Sequence, residues 1–151
     1  MKKIILLGAA TFLVIGLVNA QSEETAIKLT IQKLFDGMRN ADSAAIQAVF
    51  APNAIMQTIT NNKEGNTFVK QDLVTNFASF VGKQSKGAAD EQIVFESIYV
   101  DENLAIAWTP YRFIYNGNFS HCGVNSFTLV KLNGEWKINY VIDTRRKLNC
   151  D

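Results

Sequence analysis

Two Asn-Gly pairs limit the folds open to this chain more than any other feature. Asn116-Gly117 joins LAIAWTPYRFIY to FSHCGVNSFTLVKL, once the intervening Asn118 is counted with the turn, and Asn133-Gly134 joins that run to EWKINYVIDTRR. The flanking runs are dense in aromatic and β-branched residues, which suit strands. Asn and Gly both accept the positive φ of a type I′ turn, whose twist matches that of a hairpin. The turns therefore tie long strands into antiparallel hairpins. An earlier run, IVFESIYV, is set off from the first of them by Asp-Glu-Asn. The second half reads as an antiparallel meander.

The first half has helical spacing. Ser22 caps a helix with Ile27, Ile31, Leu34, Phe35 and Met38 on one stripe. Asp42 or Ser43 caps a short second helix carrying Ile46, Val49 and Phe50, ended by Pro52 and Asn53. AIMQTI reads as a strand and NNKEG as a turn. A third helix is expected over Lys70 to Val81, with Leu73, Val74, Phe77, Phe80 and Val81 inward, followed by the polar loop GKQSKGAADEQ. Helices first and a meander after predict an α+β fold, with the helices covering one face of a curved sheet.

The chain starts MKKIILLGAATFLVIGLVNA. A basic pair, an apolar run and the small-residue ending Val18-Asn19-Ala20 have the order of a secretory signal, with cleavage after Ala20. The apolar run is shorter than the roughly 20 residues that span a bilayer. Residues 1–20 are thus expected to be a signal peptide and 21–151 a single domain, periplasmic or secreted and free of the membrane after cleavage. Charges nearly balance, at 15 basic and 14 acidic residues, and no basic stripe alternates with aromatics, which argues against nucleic acid. One histidine, two cysteines and no paired ligand spacing argue against a metal. No cofactor is expected.

The Asn133-Gly134 turn sets a register: Leu132 faces Glu135, Leu129 faces Ile138, Phe127 faces Tyr140 and Asn125 faces Ile142. Trp136 shares this apolar face, which should pack on the helices. The first hairpin places Phe113 opposite His121, Tyr111 opposite Gly123 and Thr109 opposite Asn125. The inner face thus grades from hydrocarbon into Tyr111, His121, Asn125 and Thr109, as a pocket mouth would. A histidine tied to a backbone carbonyl at the sheet's end is the alternative for His121. Gly123 would leave room for a ligand beside Tyr111. Pro110 cannot donate to a ladder and predicts a bulge or an edge, which could swap Trp108 and Arg112 into the pocket. Thr128, Lys137, Asn139 and Asp143 fall on the outer face. Cys122 points away from His121, because strand neighbours alternate, so the two form no dyad. It faces Arg145, and a Cys122–Cys150 disulfide follows if Lys147, Leu148 and Asn149 turn the chain back.

The stretch MRNADSAAIQAVFAPNA resembles the helix–helix–strand opening of the nuclear-transport-factor-2-like superfamily. AWTPYRFIYNG, SHCGVNSFTLVKLNGEWKI and DTRR resemble its exported bacterial branch labelled "putative lumazine-binding". The resemblance covers Gln21 to Cys150 and implies a curved antiparallel sheet around about three helices, with a conical cavity open at one end. The superfamily holds isomerases, cyclases and dehydratases beside non-catalytic binders. The isomerase chemistry would need an acid pair with a tyrosine; Asp36, Glu96 and Asp143 are the nearest acids.

Three functions are open on such a fold. The first is an exported binder of a small apolar or aromatic molecule, with Tyr111, His121, Asn125, Tyr140, Thr109 and Trp108 as ligand contacts. The second is an enzyme on the same cavity, with His121 as acid/base and Tyr111 donating to an oxyanion. The third is an interaction module with a filled cavity. A homodimer through the outer sheet face, carrying Val124, Val130, Val141 and Ile114, is compatible with all three.

Overall fold

The computed structural model describes residues 7–150, with side chains from Gln21 onward. The basic start of the expected signal, Lys2 and Lys3, lies outside the described residues. Helix α1 spans Leu7–Arg39, so Ser22 sits inside a helix rather than capping one. No proline stands between Leu7 and Ser22, and Gly16 does not interrupt the helix. The expected stripe holds: Ile27, Ile31, Leu34, Phe35 and Met38 are all buried. Helix α2, Ser43–Ala48, is capped by Asp42, whose carboxylate accepts from the Ala45 N–H at 2.9 Å.

Pro52 and Asn53 do not end α2; they lie in strand β1, Phe50–Asn61, at an irregularity where Asn53 takes a φ of 61°. Strand β2, Thr67–Asp72, pairs back on β1, so Lys70 to Asp72 are strand and α3 covers only Val74–Gly82. Leu73 and Phe80, expected inward, are each 59% exposed, while Ala78 and Val81 take the core-facing positions. The polar loop also yields a strand, β3 at Ala89–Ile93, and IVFESIYV divides between β3 and β4, Ser97–Asp101. The meander completes the fold with β5, Leu104–Tyr115, β6, Asn118–Leu132, and β7, Glu135–Thr144. Asn116, Gly117, Asn133 and Gly134 all take positive φ, as type I′ turns require.

Among the described residues the strands form one seven-stranded sheet, ordered β2-β1-β7-β6-β5-β3, with β4 also on β5. It is antiparallel except where β1 runs parallel to β7, and the chain between these two strands runs through β2, α3 and strands β3 to β6. The helices cover its concave face. Phe35 of α1 meets Phe127 of β6 edge-on at 6.2 Å, and Ile138, Leu129 and Ile31 close the same core. Polar contacts fix the docking of α1. Glu23 accepts from the Trp136 indole at 2.7 Å and the Lys131 ammonium at 2.6 Å, so Trp136 serves packing. No helix among the described residues is long and apolar enough to cross a membrane.

Candidate functional site

Strands β5 and β6 place Phe113 opposite His121, Tyr111 opposite Gly123 and Thr109 opposite Asn125. Pro110 causes no shift in this register. It stands where the partner on the other side of β5 changes from β4 to β3, and its carbonyl accepts from the Val94 N–H at 2.9 Å. The missing donor falls at a gap in the ladder, so alternation continues. Trp108 therefore faces outward, 46% exposed, and Arg112 is also exposed; neither enters the interior. The irregularity in this hairpin lies nearer the turn, between Phe113 and Ile114, and leaves Ser120 as the extra residue.

Strands β6 and β7 depart from the simple alternation. Leu132 faces Glu135 and Leu129 faces Ile138, but Thr128 faces Tyr140, leaving Asn139 as an extra residue. Beyond this bulge every facing moves by one. Phe127 meets Val141 rather than Tyr140, and Asn125 meets Asp143 rather than Ile142. Tyr140 is consequently an outer-face residue, its hydroxyl bonded to Gln57 at 2.7 Å. Val141, expected on the outer face, is buried in the core. Asp143, also expected outside, faces inward.

The inward shift of Asp143 assembles a polar cluster. Its carboxylate accepts from Arg145 Nε at 2.7 Å, from the Thr58 hydroxyl at 2.5 Å and from the Tyr111 hydroxyl at 3.2 Å. The Tyr111 hydroxyl also reaches the Thr144 carbonyl at 2.9 Å, the shorter contact. Burial, and then the Asp143 charge, push the Tyr111 phenol well above its ordinary range. Asn125, buried, donates to Glu91 of β3 at 2.8 Å. Glu91 keeps partial exposure as a residue, yet its carboxyl end is enclosed by protein. That burial pushes it up to about 7, against the Asn125 hydrogen bond, which lowers it. Thr109 is fully buried and its hydroxyl has no hydrogen-bond partner. Asp36 and Glu96 play no part here: Asp36 pairs with Arg39 on α1 at 3.0 Å, and Glu96 is exposed.

Glu91 is invisible in the sequence as an inner acid because GAADEQ reads as a polar loop. Its signal is the alternation Ala89, Glu91, Ile93, in which one acid takes an otherwise apolar phase.

Gly123 leaves no room for a ligand. A Cβ there would lie 1.8 Å from the Thr144 carbonyl oxygen and 2.9 Å from the Tyr111 ring, so the protein's own backbone occupies the space. On the opposite face, Cys122 exchanges backbone hydrogen bonds with Arg146, not Arg145, a one-residue offset inherited from the Asn139 bulge. Cys122 and Cys150 are joined by a disulfide with Cα atoms 5.7 Å apart.

His121 is half-buried. Its ring meets Tyr111 edge-on at 5.7 Å and Phe113 at 5.1 Å, and Nδ1 lies 3.0 Å from the Ser120 hydroxyl rather than at a backbone carbonyl. Burial, then the Arg145 charge, lower its pKa, which favours neutral imidazole. It lines a cavity of about 470 Å³ with Met38 of α1, Phe77 and Val81 of α3, and Phe113 of β5. Arg145, Arg146 and Lys147 complete the lining. Of the residues expected at a pocket, only His121 borders this space. Tyr111, Asn125 and Thr109 gather on the inner face, bonded within the polar cluster or, for Thr109, beside it in register; Tyr140 and Trp108 are on the other side of the sheet. A larger groove, about 590 Å³, runs between α1, α2 and the β6–β7 turn. Its polar wall mixes Lys33, Asp36, Asp42, Glu135 and Lys137, and it lies away from the polar cluster.

The family model described as "Putative lumazine-binding" matches residues 22–140. No curated protein matches the sequence. Solved structures share the fold at low identity. An NTF2-like protein of unknown function from Shewanella baltica is 14% identical with a TM-score of 0.64, covering 83% of this chain and 94% of its own. A Nostoc punctiforme domain of unknown function with a cystatin-like fold is 17% identical with a TM-score of 0.65, covering 85% and 80%. A Mycobacterium tuberculosis protein of unknown function is 12% identical with a TM-score of 0.66, covering 89% and 78%. With its helices against a curved sheet and a cavity at one end of the core, the chain belongs to the family described as "Putative lumazine-binding" and shares the fold of these NTF2-like and cystatin-like structures.

Proposed function

We propose that this protein binds a small, mostly apolar molecule in the cavity beside His121, and does so after export to the periplasm or the medium. The observation that carries the reading is that cavity: about 470 Å³, walled by Phe77, Val81 and Phe113, with an imidazole at its edge. Its size and its few polar groups match those of small-molecule sites. Catalysis on the same cavity is the second reading, with His121 as the acid/base at its edge. The donors weigh against it. The Tyr111 hydroxyl is engaged by the Thr144 carbonyl and Asp143, so its proton is committed within the protein. Neither Tyr111 nor Glu91 borders the cavity.

Native mass spectrometry of the purified mature protein tests binding: a co-purifying small molecule is expected. His121→Ala should abolish that adduct and barely change the melting temperature. A clear loss of stability with the adduct intact would make His121 structural. Export is tested by N-terminal sequencing of protein from the periplasm or medium, which should begin at Gln21; full-length chain in the membrane fraction would refute it.

A further inference from the structure

Two successive residues of β6 line the cavity, which a regular strand does not allow, because neighbours along a strand alternate between faces. Ser120 escapes the alternation as the extra residue of the β5–β6 irregularity. Phe113 pairs with His121 and Ile114 with Phe119, and Ser120 is left over between them. Ser120 and His121 both border the cavity, and the serine hydroxyl lies 3.0 Å from Nδ1 of the imidazole. That hydroxyl has no other partner among the described residues.

The contact decides which ring nitrogen carries the proton. Burial, then the Arg145 charge, favour a neutral imidazole, which has one donor nitrogen and one acceptor. An imine nitrogen accepts more strongly than a hydroxyl oxygen, and the serine O–H is free to turn toward it. Ser120 therefore donates to Nδ1, and the proton stands on Nε2. Nε2 is on the distal side of the ring, farther from the strand than Nδ1, and the cavity separates the strand from Phe77 and Val81 of α3. It has no protein partner, yet it is not sealed in: among the described residues the Thr109 hydroxyl is the only buried side-chain nitrogen or oxygen without a partner. The ring is also held, edge-on to Tyr111 at 5.7 Å and against Phe113 at 5.1 Å, so little ordering remains to be done on binding.

We infer that the ligand is a neutral, apolar molecule bearing a carbonyl, its body among Phe77, Val81 and Phe113 and its carbonyl oxygen accepting from His121 Nε2–H. Ser120 is the positioning residue that keeps the proton there. The inference rests on the binding reading proposed above and names its ligand class. No carboxylate lines the cavity, so a ligand hydroxyl would find no charged acceptor. The Arg145 guanidinium at its edge is already held by Asp143 at 2.7 Å and Thr58 at 3.1 Å. What remains is one neutral N–H in hydrocarbon surroundings, and a neutral acceptor satisfies it without bringing a charge out of water.

The chain has one histidine, so in nitrogen-15-labelled protein its ring nitrogens give a single pair of signals. At about pH 8 the disulfide-intact mature protein should show Nε2 as a protonated nitrogen and Nδ1 as an imine nitrogen; the reverse would overturn the inference. Ser120→Ala should move both signals toward the average of exchanging tautomers, and an unmoved pair would also overturn it, since Ser120 would then not set the proton. The protein is next titrated with 1-indanone, indane and indane-1-carboxylate. In His121→Phe, which keeps a ring and loses the donor, the affinity of 1-indanone relative to indane should fall about fivefold, the worth of one net hydrogen bond. An unchanged ratio would overturn the inference while leaving the cavity reading standing, as would tighter binding of the carboxylate than of 1-indanone. No binding by any of the three probes would remove the cavity reading and the inference together. Where circular dichroism shows the variant misfolded, the native protein decides: 1-indanone should move the Nε2 signal further than indane does, and equal shifts would overturn the inference.

Discussion

Glu91→Gln should make the protein more stable above neutral pH. The Glu91 carboxyl is raised from 4.5 to about 7 by burial, so the folded state takes up its proton before the unfolded state does as pH falls. Stability from this group is therefore greatest below pH 4.5 and is lost as pH rises to 7, where the enclosed carboxylate must ionise. The full shift corresponds to about 3 kcal/mol, and the residue's partial exposure brings the expected effect to about 2–3 kcal/mol. Glutamine carries no charge and retains an oxygen to accept from Asn125. At pH 8.5 the variant should gain about 2–3 kcal/mol, or roughly 5–10 °C in melting temperature for a chain of this size. Near pH 4.5 the gap should fall below about 1 kcal/mol. Urea melts of both proteins from pH 4.5 to 8.5, at fixed ionic strength, measure it. Parallel pH profiles, or a variant less stable at pH 8.5, would show that nearby Arg145 already compensates the carboxylate and would refute the reasoning.

Gly123→Ala should cost about 3 kcal/mol or more, because the added methyl meets the Thr144 backbone carbonyl rather than a movable side chain; thermal melting checks it, and a near-neutral variant would contradict the close approach. Reducing the Cys122–Cys150 bond, which spans a sequence separation of 28, should cost about 3–4 kcal/mol of stability, read as a lowered urea midpoint in reductant. Intact native protein that alkylates at both thiols would count against the bond. The outer sheet face exposes Leu104, Ile106, Trp108 and Tyr99 on neighbouring positions of β4 and β5, an apolar centre bordered by Ser97, Ser126 and Thr128. We propose that a second copy of the chain covers it, so light scattering at micromolar concentration should give a dimer mass and Trp108→Glu a monomer. A monomer mass for the native chain would end that proposal.

Hairpin chemistry made β5 and β6 legible from sequence. Asn-Gly admits few turns, and counting Asn118 with the turn offsets the extra residue Ser120, so Phe113–His121 and Thr109–Asn125 come out in register. Periodicity exposed the buried stripe of α1, because five apolar side chains at helical spacing leave few alternatives. The errors came where a single extra residue intervenes. Asn139 carries no mark of a bulge, being neither glycine nor proline, and without it Asp143 and Tyr140 exchange faces. The β2 and β3 strands were hidden for another reason. Edge strands are polar on one or both faces, so TFVKQD and ADEQI lack the hydrophobic contrast that marks central strands. The candidate site suffered most, since its acids come from β3 and from β7 beyond the bulge, the two places where local pattern is silent.

The Asn139 bulge also has a consequence for how such a fold diversifies. Straightening the bulge, with Asn139 taken into the regular pairing, would bring Tyr140 and Ile142 to the inner phase and send Val141 and Asp143 outward, together with whatever each one holds. A phenol and a hydrocarbon would replace a carboxylate without any codon being rewritten. Pairing, then, is a chemical variable along β7. Whether Asn139 is bulged out or paired selects between two complete sets of inward side chains already encoded side by side, and the strand carries a second interior as the unused half of its alternation.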